Sequence, residues 1–325
     1  MKFLPALAIL LLTPSLSFAH SPDTDIERPR HEGYVTTPDK QKIHYIAGAK
    51  LATGAIPNAS QPSTAASEAG PSASASSSET KSPSILFVPG WSMPAWIWNA
   101  QIDHFESTHR VVAMDPRCQG KSPCSGEGLY PAARARDIKA VVDRLQLKPV
   151  VIVAWSMAVN EVVSYVDQFG TSDLAGLVFV DDSTTPLDPK YAHDMLDFIA
   201  GLQSDRTAKT NEFVRSFFKK PQPEDFLKSV VQAALGVPTD AAVAMLVGKF
   251  AANLTPALKK IDKPSMAIAS NEPYKTLIKE MQSQIKGCTY QEMDGVGHAL
   301  FVDDPATFNS LLDSFLASLS SSNTP

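Results

Sequence analysis

Two residues of this chain stand where their side chains could do nucleophilic chemistry. Ser156 lies in Ala154-Trp155-Ser156-Met157-Ala158, where the apolar run that starts at Val150 stops and a helix-like pattern, "VNEVVSYV", begins at once. A hydroxyl on so sharp a corner is held clear of the sheet, and the helix N-terminus behind it favours developing negative charge. Serine is a weak nucleophile until a neighbouring base takes its proton. His298, in Gly295-Val296-Gly297-His298-Ala299, follows the last strand candidate and can supply that base. Pro89-Gly90-Trp91 closes an earlier central strand, where a backbone N–H can meet a developing oxyanion. Leu177-Val178-Phe179-Val180 runs into Asp181-Asp182, and two adjacent carboxylates at a buried strand end are costly unless they are paired. Serine, then acid, then histidine along the chain is one of the orders in which an acyl-transfer triad is built. The competing reading of Ser156 is a plain helix cap.

The elements that must position these residues alternate regularly. "EGYVTTPDKQKIHYIAGAK" reads as two strands around a turn at Pro38-Asp39. After Ser84 come "SILFVPG", "HRVVAMDPR", a helix from about Pro131 to Leu145, "PVVIVAWS", a helix and "LAGLVFVDD". A long interval then leads to "PSMAIAS", a helix, "CTYQEMDGVGHALF" and a last helix from Ala306 to Leu319. Nearly all-apolar strands alternating with helices predict an α/β fold, a mostly parallel sheet covered by helices on both faces. The interval from about 187 to 261 shows helical spacing throughout, as in "YAHDMLDFIAGL" and "NEFVRSFF". It predicts a helical cap inserted before the penultimate strand, over the sheet edge where open α/β folds bind ligands; packing on the side of the sheet is the alternative.

Residues 50–84 are rich in Ser, Ala, Thr, Pro and Gly and cannot offset their ordering entropy, which predicts a disordered loop inside a single domain. At the N-terminus, Lys2, a short apolar core from Leu4 to Leu12 and Ser17-Phe18-Ala19 form the pattern of a signal peptide over residues 1–19. The expected mature chain, residues 20–325, is exported, periplasmic or secreted. The apolar core is too short to span a bilayer, and no cysteine follows it to carry a lipid, so no stable membrane anchor is expected. Export permits disulfides, and Cys118 and Cys124 share one loop, while Cys288 is the odd one.

Of the 325 residues, 44% are hydrophobic and 19% charged, with a net charge of -5 and no run of either sign. Without a concentrated basic face, nucleic acid is not the expected partner. No metal-spaced His/Cys/Glu cluster, G-x-G-x-x-G or P-loop is present, so neither a metal nor another cofactor is expected. The pattern does not speak to oligomeric state.

From about Gly33 to Leu319 the chain resembles an α/β-hydrolase, of the subgroup of small serine esterases and cofactor-free haloperoxidases. Four stretches carry the resemblance: "FVPGWSMPAWIW" for the usual H-G-W segment, "MDPRCQGKSP" for D-x-R-G-x-G-x-S, "VAWSMAVNEVVSYV" for the nucleophile turn, and "GVGHALFVDDPATFNSLL" for the histidine loop. Departures are Pro89 for His, Cys118 for Gly, and Ala154 and Ala158 for Gly. The resemblance implies a Ser-His-acid hydrolase acting on a small-molecule carboxylic ester, with Ser156 as nucleophile, His298 as base, and the amides of Trp91 and Met157 as oxyanion donors. In most relatives the acid follows the strand after the cap, but that position falls here on Pro273, with Glu272 one residue away. Some relatives place it at the end of the strand before the cap, which favours Asp181, with Asp182 and Glu272 as alternatives. Trp91, Trp96, Trp98 and Trp155 are candidate walls of an apolar pocket, with plain core packing the ordinary reading of each one singly. The other readings are a different acyl or C–C bond hydrolase on the same fold, or a non-catalytic ligand-binding member of it. Dehalogenation is disfavoured, because related dehalogenases use an aspartate nucleophile.

Overall fold

The computed structural model describes residues 30–52, 82–184, 189–270 and 274–321. The expected signal peptide and Glu272 lie outside the described residues. A hairpin of β1 (His31–Thr36) and β2 (Lys42–Ala47) opens the fold. The remaining strands are β3 (Ser84–Val88), β4 (Val111–Met114), β5 (Val150–Trp155), β6 (Leu174–Val180), β7 (Ser265–Ala269) and β8 (Cys288–Glu292). They form one sheet in the order β1-β2-β4-β3-β5-β6-β7-β8, in which β2 meets β4 antiparallel and every later pair is parallel. The α/β-hydrolase architecture expected from the sequence is the one observed.

Strand periodicity divides the core in two. Leu86, Ile152, Ala154, Leu177 and Phe179 face α3 (Pro131–Arg144), α4 (Ala158–Phe169) and α10 (Tyr274–Ser283). Ile85, Phe87, Val151, Val153, Trp155, Val178 and Val180 face α2 (Asn99–Phe105) and α12 (Pro305–Ser321). Burial on both faces is why β3 and β5 read as unbroken apolar runs. Residues 49–52 form a short helix, α1 (Ala49–Ala52), and β3 begins at Ser84, so the expected 50–84 loop gives up both ends to regular structure. Residues 53–81 lie outside the described residues.

Between β6 and β7 the described residues hold only helices: α5 (Pro189–Ser204), α6 (Arg206–Ser216), α7 (Glu224–Leu235), α8 (Thr239–Ala251) and α9 (Thr255–Leu258). Asp205 starts α6 by accepting a hydrogen bond from Ala208 N at 2.9 Å. Leu202 of α5 and Ala241, Ala242, Met245 and Leu246 of α8 join Trp91 and Met157 in one apolar cluster. Trp91 and Met157 follow the C-terminal ends of β3 and β5, so these helices cover that edge of the sheet. No single helix among the described residues is long and apolar enough to cross a membrane.

Cys118 and Cys124 are joined by a disulfide. Cys288 is free and buried, and burial pushes its thiol up to about 11, which leaves it protonated and unreactive near neutrality.

Candidate active site

Ser156 occupies the corner between β5 and α4 with φ of 56°, in the left-handed region that a side chain enters only at a cost. Its amide donates to Val180 O at 2.9 Å and its carbonyl accepts from Val159 N at 2.9 Å, which pins the corner from both sides. Ala154 and Ala158 are fully buried against neighbouring elements, so the two methyls that replace the usual glycines are absorbed by the packing. The close approach falls at Gly90 instead. A Cβ built there would lie 2.8 Å from Ser156 Cβ, so only glycine lets the loop after β3 reach the serine.

His298 Nε2 lies 2.9 Å from Ser156 Oγ, and its Nδ1 lies 2.8 Å from Asp181 Oδ2. Asp181 is completely buried and follows β6 with φ of 52°. Its Oδ1 accepts from Ser270 N at 2.7 Å and its Oδ2 from Ser270 Oγ at 2.9 Å, so the buried carboxylate is held by donors on both oxygens. Asp182 turns the other way. Its Oδ1 accepts from Ser183 N at 2.7 Å, and its Oδ2 pairs with Lys249 Nζ of α8. Of the sequence candidates, Ser156, His298 and Asp181 therefore come together, and Asp182 does not join them.

The histidine loop is tied to the helices above it. Ala299 N donates to Phe217 O at 3.1 Å. Asp303, the last residue of α11 (Leu300–Asp303), accepts from Gly297 N and Lys219 N, each at 2.8 Å, from Lys220 N at 3.3 Å, and from Gln222 Nε2 at 3.0 Å. At Gly297 a Cβ would sit 2.2 Å from Phe217 O, which explains the second glycine of "GVGH". Trp155 Nε1 donates to His298 O at 2.9 Å, and the rings of Trp155 and Phe217 lie 5.3 and 5.4 Å from the imidazole.

The four tryptophans divide between the two readings, core packing and pocket wall. Trp98 and Trp155 are wholly buried in the core, with Trp98 stacked between Phe87 and Phe301. Trp96 packs edge-on against Phe226 of α7. Only Trp91 belongs to the apolar cluster that joins the loop after β3 to the helices above.

A residue that sequence reasoning passed over is Gln119, in the polar turn after β4. Its Nε2 donates to Gly90 O and Met93 O, each at 2.9 Å, and its Oε1 accepts from Arg134 Nη2 at 2.8 Å. Gly90 O and Trp91 N belong to the same peptide unit. That unit is planar and trans, so its C=O and N–H point in opposite directions; holding the carbonyl fixes where the Trp91 N–H points. Arg134 Nε in turn pairs with Glu161 of α4, linking this turn to the helix behind Ser156. The same turn is braced by Asp115, which accepts from the amides of Ala95 and Lys121 and faces His44 Nδ1. The polar surroundings of Gln119 in sequence gave no hint that its target lies 29 residues away.

The model of the alpha/beta hydrolase family matches residues 85–311, most of the chain and all of the elements just described from β3 to the start of α12. The chain belongs to the alpha/beta hydrolase family. This hydrolase is 21% identical over 243 residues to an AB hydrolase superfamily protein, YisY, of Bacillus subtilis, a match covering 71% of this chain and 90% of that one. In structure the hydrolase is similar to the esterase EaEST of Exiguobacterium antarcticum, with a TM-score of 0.72 and 17% identity over 87% of this chain and 98% of that one. It is similar also to a bromoperoxidase of Bacillus anthracis, with a TM-score of 0.72 and 20% identity over 88% and 100% of the two chains. At such identities the structural likeness speaks for the shared fold.

Proposed function

We propose that this protein is an exported serine hydrolase that cleaves carboxylic esters through an acyl-enzyme formed on Ser156. The observation that carries the proposal is the unbroken relay from Ser156 Oγ to His298 Nε2 and from His298 Nδ1 to Asp181 Oδ2, at 2.9 and 2.8 Å. A carboxylate only accepts, so the hydrogen sits on Nδ1, and Nε2 is left to take the serine proton. Ser156 Oγ attacks the ester carbonyl as its proton moves to Nε2. The tetrahedral oxyanion then lies between the amides of Trp91 and Met157, neither of which is spent on a loop or turn carbonyl among the described residues. Collapse expels the alcohol with the proton from His298. Water, deprotonated by the same imidazole, cleaves the acyl-enzyme and restores Ser156. Hydrolysis of a panel of p-nitrophenyl esters, together with fluorophosphonate labelling at Ser156, tests the reading; a folded protein that does neither would refute it.

In this mechanism Gln119 aims the Trp91 amide. Gln119→Leu keeps the bulk and removes both donors, so kcat is expected to fall about 10- to 100-fold, with KM changed by less than about threefold, since a misaimed donor weakens the transition state more than the bound substrate. Steady-state kinetics on one soluble ester separates the two constants.

Export is supported by the N-terminal charge, apolar core and small-residue site at 17–19. The Cys118–Cys124 disulfide fits the oxidising side of a membrane. Intact-mass measurement on protein recovered outside the cytoplasm is expected to give a chain starting at His20; a mass that retains Leu4–Leu12 would overturn the export reading.

A further inference from the structure

The Trp91 N–H, an oxyanion donor in the mechanism above, belongs to a turn that does not hold itself. Met93 N donates to Gly90 O at 3.2 Å and closes residues 90–93 into that turn. Ser92, inside it, is wholly buried with φ of 59°. A serine in the left-handed region carries a backbone cost that persists only where the surroundings enforce it. The Ser92 hydroxyl has no partner among the described residues, so its side chain does not supply the hold. On the sheet side the hold is Gln119, which donates to Gly90 O and Met93 O. Gln119 grips one end of the planar unit between Gly90 and Trp91. The other end is the Trp91 Cα, and it needs a hold of its own.

That hold comes from the inserted helices. The Trp91 indole is buried, and its Nε1 donates at 2.8 Å to the carbonyl of Ala242, inside α8. Phe198 of α5 and Phe213 of α6 pack edge-on against the same indole, with ring centroids 5.6 and 5.2 Å away. Three helices between β6 and β7 thus grip one side chain, and the backbone of that same residue carries the oxyanion donor. The two kinds of contact differ in what they fix. Ring packing keeps the indole in the cluster but tolerates sliding. A buried N–H must meet its acceptor or stay unpaired at a cost, so the bond to Ala242 O sets the indole in both distance and direction.

We propose that the Trp91 indole is a positioning group that ties the inserted helices to the oxyanion hole. The Trp91 amide keeps its catalytic direction only while α8 is seated on the indole, so helices and oxyanion hole assemble as one unit. The inference rests on the serine-hydrolase reading and says how that site is kept in working order. The coupling is reciprocal by linkage: an oxyanion held by the Trp91 amide must steady α8 in turn.

Trp91→Phe keeps a ring against Phe198 and Phe213 and removes the donor to Ala242 O. On a soluble p-nitrophenyl ester, kcat is expected to fall about 10-fold with KM changed by less than about threefold; a side chain that only walled the pocket would raise KM and leave kcat alone. The double variant Trp91→Phe/Gln119→Leu shows whether the two side chains act on the same amide. Once one hold is gone the second matters less, so its loss in kcat is expected to fall short of the product of the single losses by at least about threefold, whereas independent sites multiply. The wild-type protein supplies a further readout, which decides alone if the phenylalanine variant does not fold. Trifluoroacetophenone adds to the serine: the Oγ–C bond forms, the carbonyl electron pair moves onto oxygen, and the hydroxyl proton passes to His298 Nε2. Acetophenone has nearly the same shape and makes no stable adduct. With each at saturation, amide hydrogen exchange in α8 is expected to be at least about threefold slower under the trifluoro ketone. An unchanged kcat in folded Trp91→Phe, losses that multiply in the double variant, or equal exchange under the two ketones would overturn the inference. Protein that hydrolyses no ester and is not labelled by fluorophosphonate at Ser156 instead brings down the hydrolase reading beneath it.

Discussion

Ser156→Ala is expected to remove more than about 99.9% of ester hydrolysis while leaving the fold and its thermal midpoint nearly unchanged. The two halves of that expectation have separate causes. Chemistry is lost because the Oγ that faces His298 Nε2 is the group that would form the covalent bond. Stability is kept because alanine retains the Cβ, and so the same backbone cost at φ of 56°. The only hydrogen bond removed is the one to the histidine, and the imidazole stays held by Asp181 and by Trp155 at its carbonyl. Rates on a p-nitrophenyl ester beside thermal melts of both proteins check the two halves. Residual activity of more than a few percent, with contaminating esterases excluded, would show that another residue is the nucleophile.

Asp181→Asn is expected to lower kcat by about three to four orders of magnitude, the scale set by losing the acid of such a triad. The asparagine keeps the volume and can still accept from Ser270, but its amide can offer a donor where Nδ1 needs an acceptor. It also supplies no negative charge when His298 becomes an imidazolium. Asp182→Asn serves as the internal control. It removes the pairing with Lys249 and leaves Asp181 untouched, so kcat should stay within about 10-fold of wild type. Glu272→Gln completes the set. Were Glu272→Gln the crippling change and Asp181→Asn close to wild type, the acid assignment would be wrong.

Much of this arrangement was legible in the sequence because it is local. The β5 strand, the serine and the α4 pattern occupy one continuous stretch, and the histidine loop carries its own two glycines. Choosing between Asp181 and Asp182 was harder. Strand alternation places neighbours on opposite faces, but Asp181 leaves the strand in a left-handed conformation, so alternation alone does not say which carboxylate turns inward. The residues that sequence reasoning missed act at a distance. Gln119 meets the loop after β3, and Asp303 meets residues 219–222. Each sits in a stretch whose polarity fits an ordinary surface turn or helix end. Trp98 and Trp155 are used as core, the ordinary fate of a large aromatic side chain next to an apolar strand.

The hydrogen bonds that converge on Asp303 bear on how such a protein can be recombined. Gly297, Lys219, Lys220 and Gln222 share this one carboxylate, and Ala299 adds its bond to Phe217. A chimera that exchanged only the helices between β6 and β7 for those of a homologue would carry away one half of this joint. It would leave the segment around His298 with an unanswered carboxylate and a glycine fitted to a backbone no longer there. The smallest interchangeable module is therefore discontinuous: the inserted helices must travel together with residues 295–303.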